Sequence, residues 1–395
     1  MKSNIKQKLE QIAEIIYNTA LTNPNKQGGV YAGAYGLLLF LYYYGRYSNQ
    51  DRFTSLADDL AGQLLNRLGE EIDTHTFCSG LSGILYLFEY LKENQFIELD
   101  ISESQKILDD YVIRRTNKDI QNLYYDFMHG ALGGGLYFLK VKTNQDFLEK
   151  IIDFLDQTAE KDTVNHIYKW KSPIGLSGEI DYNISLSHGI SSIVIFLVRC
   201  LLSNPENNKA YELIEGAVNY ILSQRIDFQT YGSHFPSYNI KYLKSERLMS
   251  RLAWCYGDLG IAISLWQAGK TLNNQEWKTM ALNVLSDSTL RCTFHETKVF
   301  DACICHGSAG ISMIYNRMFI DTELKTFSLA TDYWMEQTLN HSCFEDGLVG
   351  YKSWDGDRWI NRESLLEGIA GIGLMMISYL SNDKQTWDEL FLLSS

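Results

Sequence analysis

The sequence predicts an all-α chain, a double-layered α/α barrel (toroid) of seven helical hairpins with loop or short-strand insertions over one face. Three observations predict it. A short glycine turn recurs along the 395 residues, an apolar segment follows each turn, and stretches with helical spacing fill the intervals. The turns read Gly33-Ala-Tyr-Gly36, Gly80-Leu-Ser-Gly83, Gly130-Ala-Leu-Gly133, Gly189-Ile-Ser-Ser192, Gly257-Asp-Leu-Gly260, Gly307-Ser-Ala-Gly310 and Gly368-Ile-Ala-Gly371. Only the fourth loses its second glycine, to Ser192. Successive first glycines lie 47, 50, 59, 68, 50 and 61 residues apart.

The apolar segments after the turns run over 37–44, 84–91, 136–139, 190–202, 261–266, 311–315 and 374–380. Between them, residues such as Ile12, Ile15, Ile16 and Ala20, or Ile151, Ile152, Phe154 and Leu155, recur at helical spacing. Each repeat is therefore an outer amphipathic helix and an inner apolar one opened by glycine. A helix that is apolar nearly all round must be buried, and a ring of such helices buries itself. Glycine at the start of each inner helix lets backbones approach closely and leaves amide N–H groups facing a central cavity. Pro24, Pro173, Pro205 and Pro236 fit connections between helices. The longer intervals carry aromatics without helical period at 160–184 and 226–248, among them Tyr168, Trp170, Tyr231, Phe235 and Tyr238. These predict loops or short strands folded over one face, as lids, binding loops or passive surface. Residues 1–395 are read as one domain.

Composition narrows the partners. A net charge of −13 argues against the phosphate backbone of nucleic acid and suits a cationic or neutral peptide. The N-terminus shows no apolar core of a signal peptide, and no apolar run reaches the ~18 residues of a membrane span. Seven cysteines in a chain of this length do not resemble a disulfide framework, so a reducing cytoplasm with thiols available to a metal is expected. The 25 tyrosines and 18 phenylalanines are read chiefly as core.

Each repeat places two residues just before its first glycine. The nearer set is Ala32, Ser79, His129, His188, Tyr256, His306 and Glu367; the farther set is Tyr31, Cys78, Met128, Ser187, Cys255, Cys305 and Leu366. If the turns converge on one mouth, these side chains line it. Cys255 in the fifth repeat, with Cys305 and His306 in the sixth, makes a three-ligand zinc site with an open fourth position. Cys303 is the strongest competing thiol, and Cys78 belongs across the ring. Cys200, Cys292 and Cys343 fall on helix or connector positions and are expected to be buried small apolar residues. Zinc with two thiolates and one neutral imidazole has no net charge. A substrate thiol entering the open position would be deprotonated, in an anionic complex that keeps its sulfur nucleophilic. Hydrolytic zinc sites more often use histidines and a carboxylate.

Four motifs carry a family resemblance. They are Ser250-Arg251-Leu-Ala-Trp254-Cys255-Tyr256-Gly257, Cys305-His306-Gly307, Ser187-His188-Gly189, and Asp126 in Tyr125-Asp126-Phe-Met-His-Gly130. Over nearly its full length the chain resembles the lanthionine synthetase C-like family, in particular its stand-alone lantibiotic cyclases. The resemblance implies an α/α toroid with one zinc per chain on Cys255, Cys305 and His306, and His188, Asp126 and Arg251 beside the metal. It implies intramolecular Michael addition, in which peptide cysteine thiols attack dehydroalanine or dehydrobutyrine to form (methyl)lanthionine rings. It further implies a dehydrated, leader-bearing precursor peptide as substrate. A dehydratase and an export transporter would be partners, with the protein cytoplasmic and peripheral at the membrane through them.

The chemistry of the residues agrees. Thiolate addition to a dehydro-residue leaves an enolate that needs a proton at its α-carbon, and a histidine with a pKa near ~6.5 can supply it. His188 fits that role; Asp126 would orient it or relay the thiol proton, and Arg251 would stabilise the enolate oxygen. The bland readings are a core-satisfied histidine and an ion pair between Asp126 and Arg251. His129, in the same slot one repeat earlier, competes as the acid. Three other functions stay open: a glutathione-binding relative adding a small thiol to dehydroamino acids, a non-catalytic zinc-stabilised peptide scaffold, and an α/α-barrel glycosidase. The last would need paired carboxylates, for which only Glu367 and the Asp126 region offer groups.

Overall fold

In the computed structural model, residues 1–23, 28–66, 68, 74–99, 102–172, 182–237, 248–381 and 384–394 are described, so Pro24, Pro173, Tyr238 and parts of both insertions lie outside them. Amphipathic and buried helices alternate along the chain, and a repeat glycine caps every buried one. After α1 (Lys2–Thr22), Gly33 caps α2 (Ala34–Ser48); after α3 (Asp51–Asn66), Gly80 caps α4 (Leu81–Glu93). After α5 (Ser102–Gln121), Gly130 caps α6 (Ala131–Val141); after α7 (Gln145–Thr158), Gly189 caps α8 (Ile190–Ser203). Next come α9 (Asn208–Ser223) and the one-turn α10 (Phe228–Tyr231), then α11 (Asp258–Thr271) capped by Gly257. Finally α12 (Gln275–Ser288) and the one-turn α13 (Phe294–Thr297) precede α14 (Ser308–Thr322), capped by Gly307. Then α15 (Lys325–Asn340) precedes α16 (Ile369–Leu380), capped by Gly368.

The two classes of helix differ as their sequences dictate. Every residue of α2 from Ala34 to Gly45 is buried, whereas α7 buries only the stripe Phe147, Leu148, Ile151, Ile152, Phe154 and Leu155. The second glycine of the turn is required by close approach. A Cβ at Gly83, Gly310 or Gly371 would lie 1.9, 1.9 or 2.1 Å from the carbonyl oxygen six residues earlier. The fourth turn has room for a side chain: Ser192 Oγ donates to the Gly189 carbonyl at 2.7 Å. Gly257 alone among the caps has a positive φ, +91°, a backbone state costly for any residue with a Cβ.

The chain divides into two compact units, residues 1–108 with 300–394, and residues 109–299. In the first, α14 packs on α16, α16 packs on both α1 and α2, and α2 meets α4. The last repeat is thus the neighbour of the first, a relation that a linear stack of hairpins lacks. In the second unit, α6, α8 and α11 pack in sequence order and are backed by α7, α9 and α12. Among the described residues no helix is long and apolar enough to cross a membrane.

The first insertion contains an antiparallel pair, β1 (Glu160–Asp162) and β2 (Ile167–Lys169). Its aromatics are core: Tyr168 lies against Gly216 of α9, and the Trp170 indole N–H donates to the Leu155 carbonyl at 2.8 Å. The described part of the second insertion holds α10 and residues 232–237, whose His234 and Phe235 N–H groups are bound by Asp258. A further pair, β3 (Ser353–Trp354) and β4 (Trp359–Ile360), lies between the sixth and seventh turns. Two-residue strands are too short to show a period, so the sequence carried no signal for it.

A buried ion pair sets the approach to α11. Arg291, 2% exposed, donates to Asp258 Oδ2 at 3.2 Å and also holds the carbonyls of Ser250 and Glu296. Asp258 receives the N–H groups of His234 and Phe235 at 3.1 and 2.9 Å. Burial pushes its carboxyl up, while Arg291 and those N–H groups oppose the shift. This knot fixes both ends of the 250–257 turn. Replacing Arg291 with leucine strands the Asp258 charge, and we expect a loss of about 3–5 kcal/mol, read as a fall in the urea midpoint.

Candidate functional site

In the second unit the third and fourth turns meet at a carboxylate. Asp126 is fully buried, and its two oxygens are used separately. Oδ1 accepts the His129 backbone N–H at 2.8 Å, and Oδ2 lies 2.8 Å from His188 Nδ1. An Nδ1–H donated to Asp126 leaves Nε2 as the reactive nitrogen of His188. The His129 ring stacks on His188 with centroids 5.8 Å apart, and the Tyr256 ring stands 6.3 Å away on the fifth turn. Burial pushes the His129 imidazole below its ordinary value, against the pull of Asp126. The fourth and fifth turns are joined through Cys255, whose carbonyl accepts both the backbone N–H and the hydroxyl of Ser187, at 3.3 and 3.2 Å. Asn183 extends the link with an amide N–H donated to the Tyr256 hydroxyl at 3.3 Å. Cys255 is buried at 6% exposure and Arg251 is half-buried. Among the described residues Arg251 forms no ion pair, so the alternative of an Asp126–Arg251 pair does not hold.

In the first unit the sixth turn carries Cys305 and His306. The Ile304 and Cys305 N–H groups both donate to the Leu366 carbonyl at 3.1 Å, which brings the seventh turn alongside. The ligand-capable atoms of Cys305, His306 and Glu367 consequently lie within 4.8 Å of one another. Glu367 is held by Arg362 at 2.6 Å, and its carbonyl accepts from the Ser353 hydroxyl. A second set, Asp301, Cys303 and His306, shares the same imidazole. His306 Nε2 is buried without a hydrogen-bond partner among the described residues, 3.3 Å from Asp301 Oδ2 and off line for a hydrogen bond. The Cys303 sulfur and the Asp301 carboxylate hold this imidazole far above its usual range, against the effect of burial. Burial would raise Asp301, but His306 and the N–H groups of Trp354 and Cys303 keep it below the ordinary carboxylate range. Thiol and imidazole on adjacent residues, with the Glu367 carboxylate beside them, form a donor set that fits zinc or another thiophilic divalent ion.

The two thiols of the sixth turn differ in use. Cys303 Sγ accepts the His306 backbone N–H at 3.5 Å, is 1% exposed, and has its thiol pushed up to about 11 by burial and Asp301. Cys305 is half-exposed. The other cysteines need one correction. Cys200 is buried as expected, but Cys292 and Cys343 are exposed, because they sit on connections beyond the ends of α12 and α15. No disulfide forms among the described residues. Asp301 escaped the sequence reading, although Asn183 occupies the corresponding position, six residues before its glycine. Each gives a side-chain oxygen to the N–H two residues on, at 3.0 and 2.8 Å.

The structure superposes on nisin cyclase with a TM-score of 0.76 at 20% identity, covering 99% of this chain and 98% of that one. The fold class is therefore the α/α toroid that the repeat predicts. In sequence the chain is 22% identical over 384 residues to nisin biosynthesis protein NisC of Lactococcus lactis subsp. lactis, spanning 88% of this chain and 90% of that protein. Residues 25–392 match the profile of the lanthionine synthetase C-like proteins. With the match running from before the first turn to beyond the seventh, the chain belongs to the lanthionine synthetase C-like family.

Proposed function

We propose that the protein is a zinc-dependent lanthionine synthetase, a stand-alone class I lantibiotic cyclase that closes thioether rings in a dehydrated precursor peptide. The observation that carries this reading is the carboxylate-held imidazole, Asp126–His188, on turns of the same repeat system that presents Cys305 and His306. Cys305 and His306 would hold zinc with Cys255, which occupies the matching slot of the fifth turn. Zinc bound there supplies a substrate cysteine as thiolate at neutral pH.

The chain's own residues handle the rest. The thiolate sulfur bonds to the β-carbon of a dehydro-residue, and the C=C electron pair moves towards the carbonyl as an enolate. His188 delivers a proton from Nε2 to the α-carbon while Asp126 holds the ring by Nδ1. Arg251, uncommitted to any carboxylate among the described residues, would face the enolate oxygen. The proton lost by the thiol is regained at carbon, so no co-reactant is consumed. His129 is the weaker candidate for the acid, because burial keeps it neutral to lower pH than an ordinary histidine. A leader-bearing precursor, a dehydratase and an export transporter would be its partners, in the cytoplasm at the membrane face.

Zinc-loaded protein incubated with a dehydrated, cysteine-containing precursor should consume free thiols, counted by alkylation and mass spectrometry; unchanged thiol counts with several such peptides would refute the cyclase. Cys305→Ala and His306→Ala should each abolish bound zinc, whereas full zinc occupancy in both would remove the metal assignment. His188→Ala should keep zinc yet slow cyclisation by about 10²–10⁴-fold, with His129→Gln close to wild type. The depressed pKa of His129 also has a sign. The unfolded chain takes up that proton first, so stability is lost as the pH falls below 6.5. His129→Gln should flatten this part of a Tm-against-pH curve.

A further inference from the structure

His306 is shared between two clusters, and its ring has two nitrogens to divide between them. We propose that Asp301 is a positioning residue for the metal ligand: its Oδ2 takes the Nε2–H of His306 and leaves Nδ1 to bind the ion beside Cys305. This rests on the zinc proposed above.

The carboxylate is built into place before any metal arrives. Asp301 is 2% exposed, its Oδ1 accepts the Cys303 N–H at 3.0 Å, and its Oδ2 accepts the Trp354 N–H at 2.8 Å. Its own carbonyl accepts the Ser308 N–H at 3.0 Å, in the first turn of α14. Three hydrogen bonds from three segments leave it little freedom. The imidazole reaches it by Nε2 at 3.3 Å, a contact that a small ring rotation would turn into a hydrogen bond. A ligating histidine commonly gives its second N–H to a carboxylate, which settles the tautomer and strengthens the ligand. Asp126 and His188 form a carboxylate–imidazole contact in the other unit, through Nδ1 at 2.8 Å.

The competing assignment makes Asp301 and Cys303 ligands in their own right. Cys303 argues against it. Its sulfur accepts the His306 N–H in the place where Thr76, Asp126 and Ser185 accept the equivalent N–H in other turns, so it has a structural task. It is also 1% exposed, which denies a substrate thiol access to an ion held there, whereas Cys305 is half-exposed. The Trp354 bond adds a consequence: the β3–β4 pair is tied to the carboxylate that orients the ligand.

Asp301→Asn tests the idea, since the replacing amide would present an N–H to Nε2 and favour the wrong tautomer. Chelator competition should show zinc bound about 10–100-fold more weakly than by wild type. Equal affinity would overturn the proposal. Cys303→Ser should retain stoichiometric zinc, and its loss would make Cys303 a ligand and overturn the proposal as well. If the Asp301 variant does not fold, long-range ¹H–¹⁵N correlation on zinc-loaded wild type decides: a protonated Nε2 and metallated Nδ1 at His306 are expected, and the reverse refutes it. Wild type that binds no zinc at all would instead sink the metal reading from which this one starts.

Discussion

In the second, third, fourth and sixth turns a side chain three residues back accepts the N–H of the residue directly before the repeat glycine, and both histidines central to the chemistry, His188 and His306, hang from that bond. Thr76 does it for Ser79, Asp126 for His129, Ser185 for His188 and Cys303 for His306. The backbone entering a buried helix would otherwise leave polar groups unsatisfied, at a cost comparable to a lost hydrogen bond each. With the N–H satisfied from behind, the side chain before the glycine is available for other work. His188 and His306 both stand in that slot.

A second set of bonds runs from turn to turn. The Cys305 N–H meets the Leu366 carbonyl, the Leu366 N–H meets the Tyr31 carbonyl, and the Tyr31 N–H meets the Cys78 carbonyl. In the other unit the Ser187 N–H meets the Cys255 carbonyl. Donor and acceptor come from the farther slot of adjacent repeats in every case. Backbone atoms make these links, so the side chains at the same positions vary from tyrosine to cysteine without loss of the connection. A scaffold of this kind can change its chemistry one repeat at a time.

Buried carboxylates then give direction to the imidazoles. Asp126 spends one oxygen on its own turn and the other on His188 from the next repeat. Asp301 spends one oxygen on its own turn and the other on Trp354 and the His306 side. Both pay for burial with backbone N–H bonds, which hold a charge that an apolar environment would expel. The Arg291–Asp258 pair applies the same logic to structure alone, anchoring the turn that carries Arg251 and Cys255.

Much of this is legible in the sequence. The glycine period located seven turns, and every first glycine proved to be a helix cap. Counting back from it also separated Cys305, on the slot, from Cys303, which is off it. The sequence by itself determined the repeat, the order of buried and amphipathic helices, and which residues stand at the turns, because all of these follow from spacing along one chain. Only the tertiary structure decided that Asp126 meets His188 across 62 residues instead of Arg251, and that Cys303 caps a turn. It also decided that Asp301 and Glu367 flank His306. Those pairings depend on rotamers and on which neighbouring repeat supplies the partner, and a period in sequence carries no information about either.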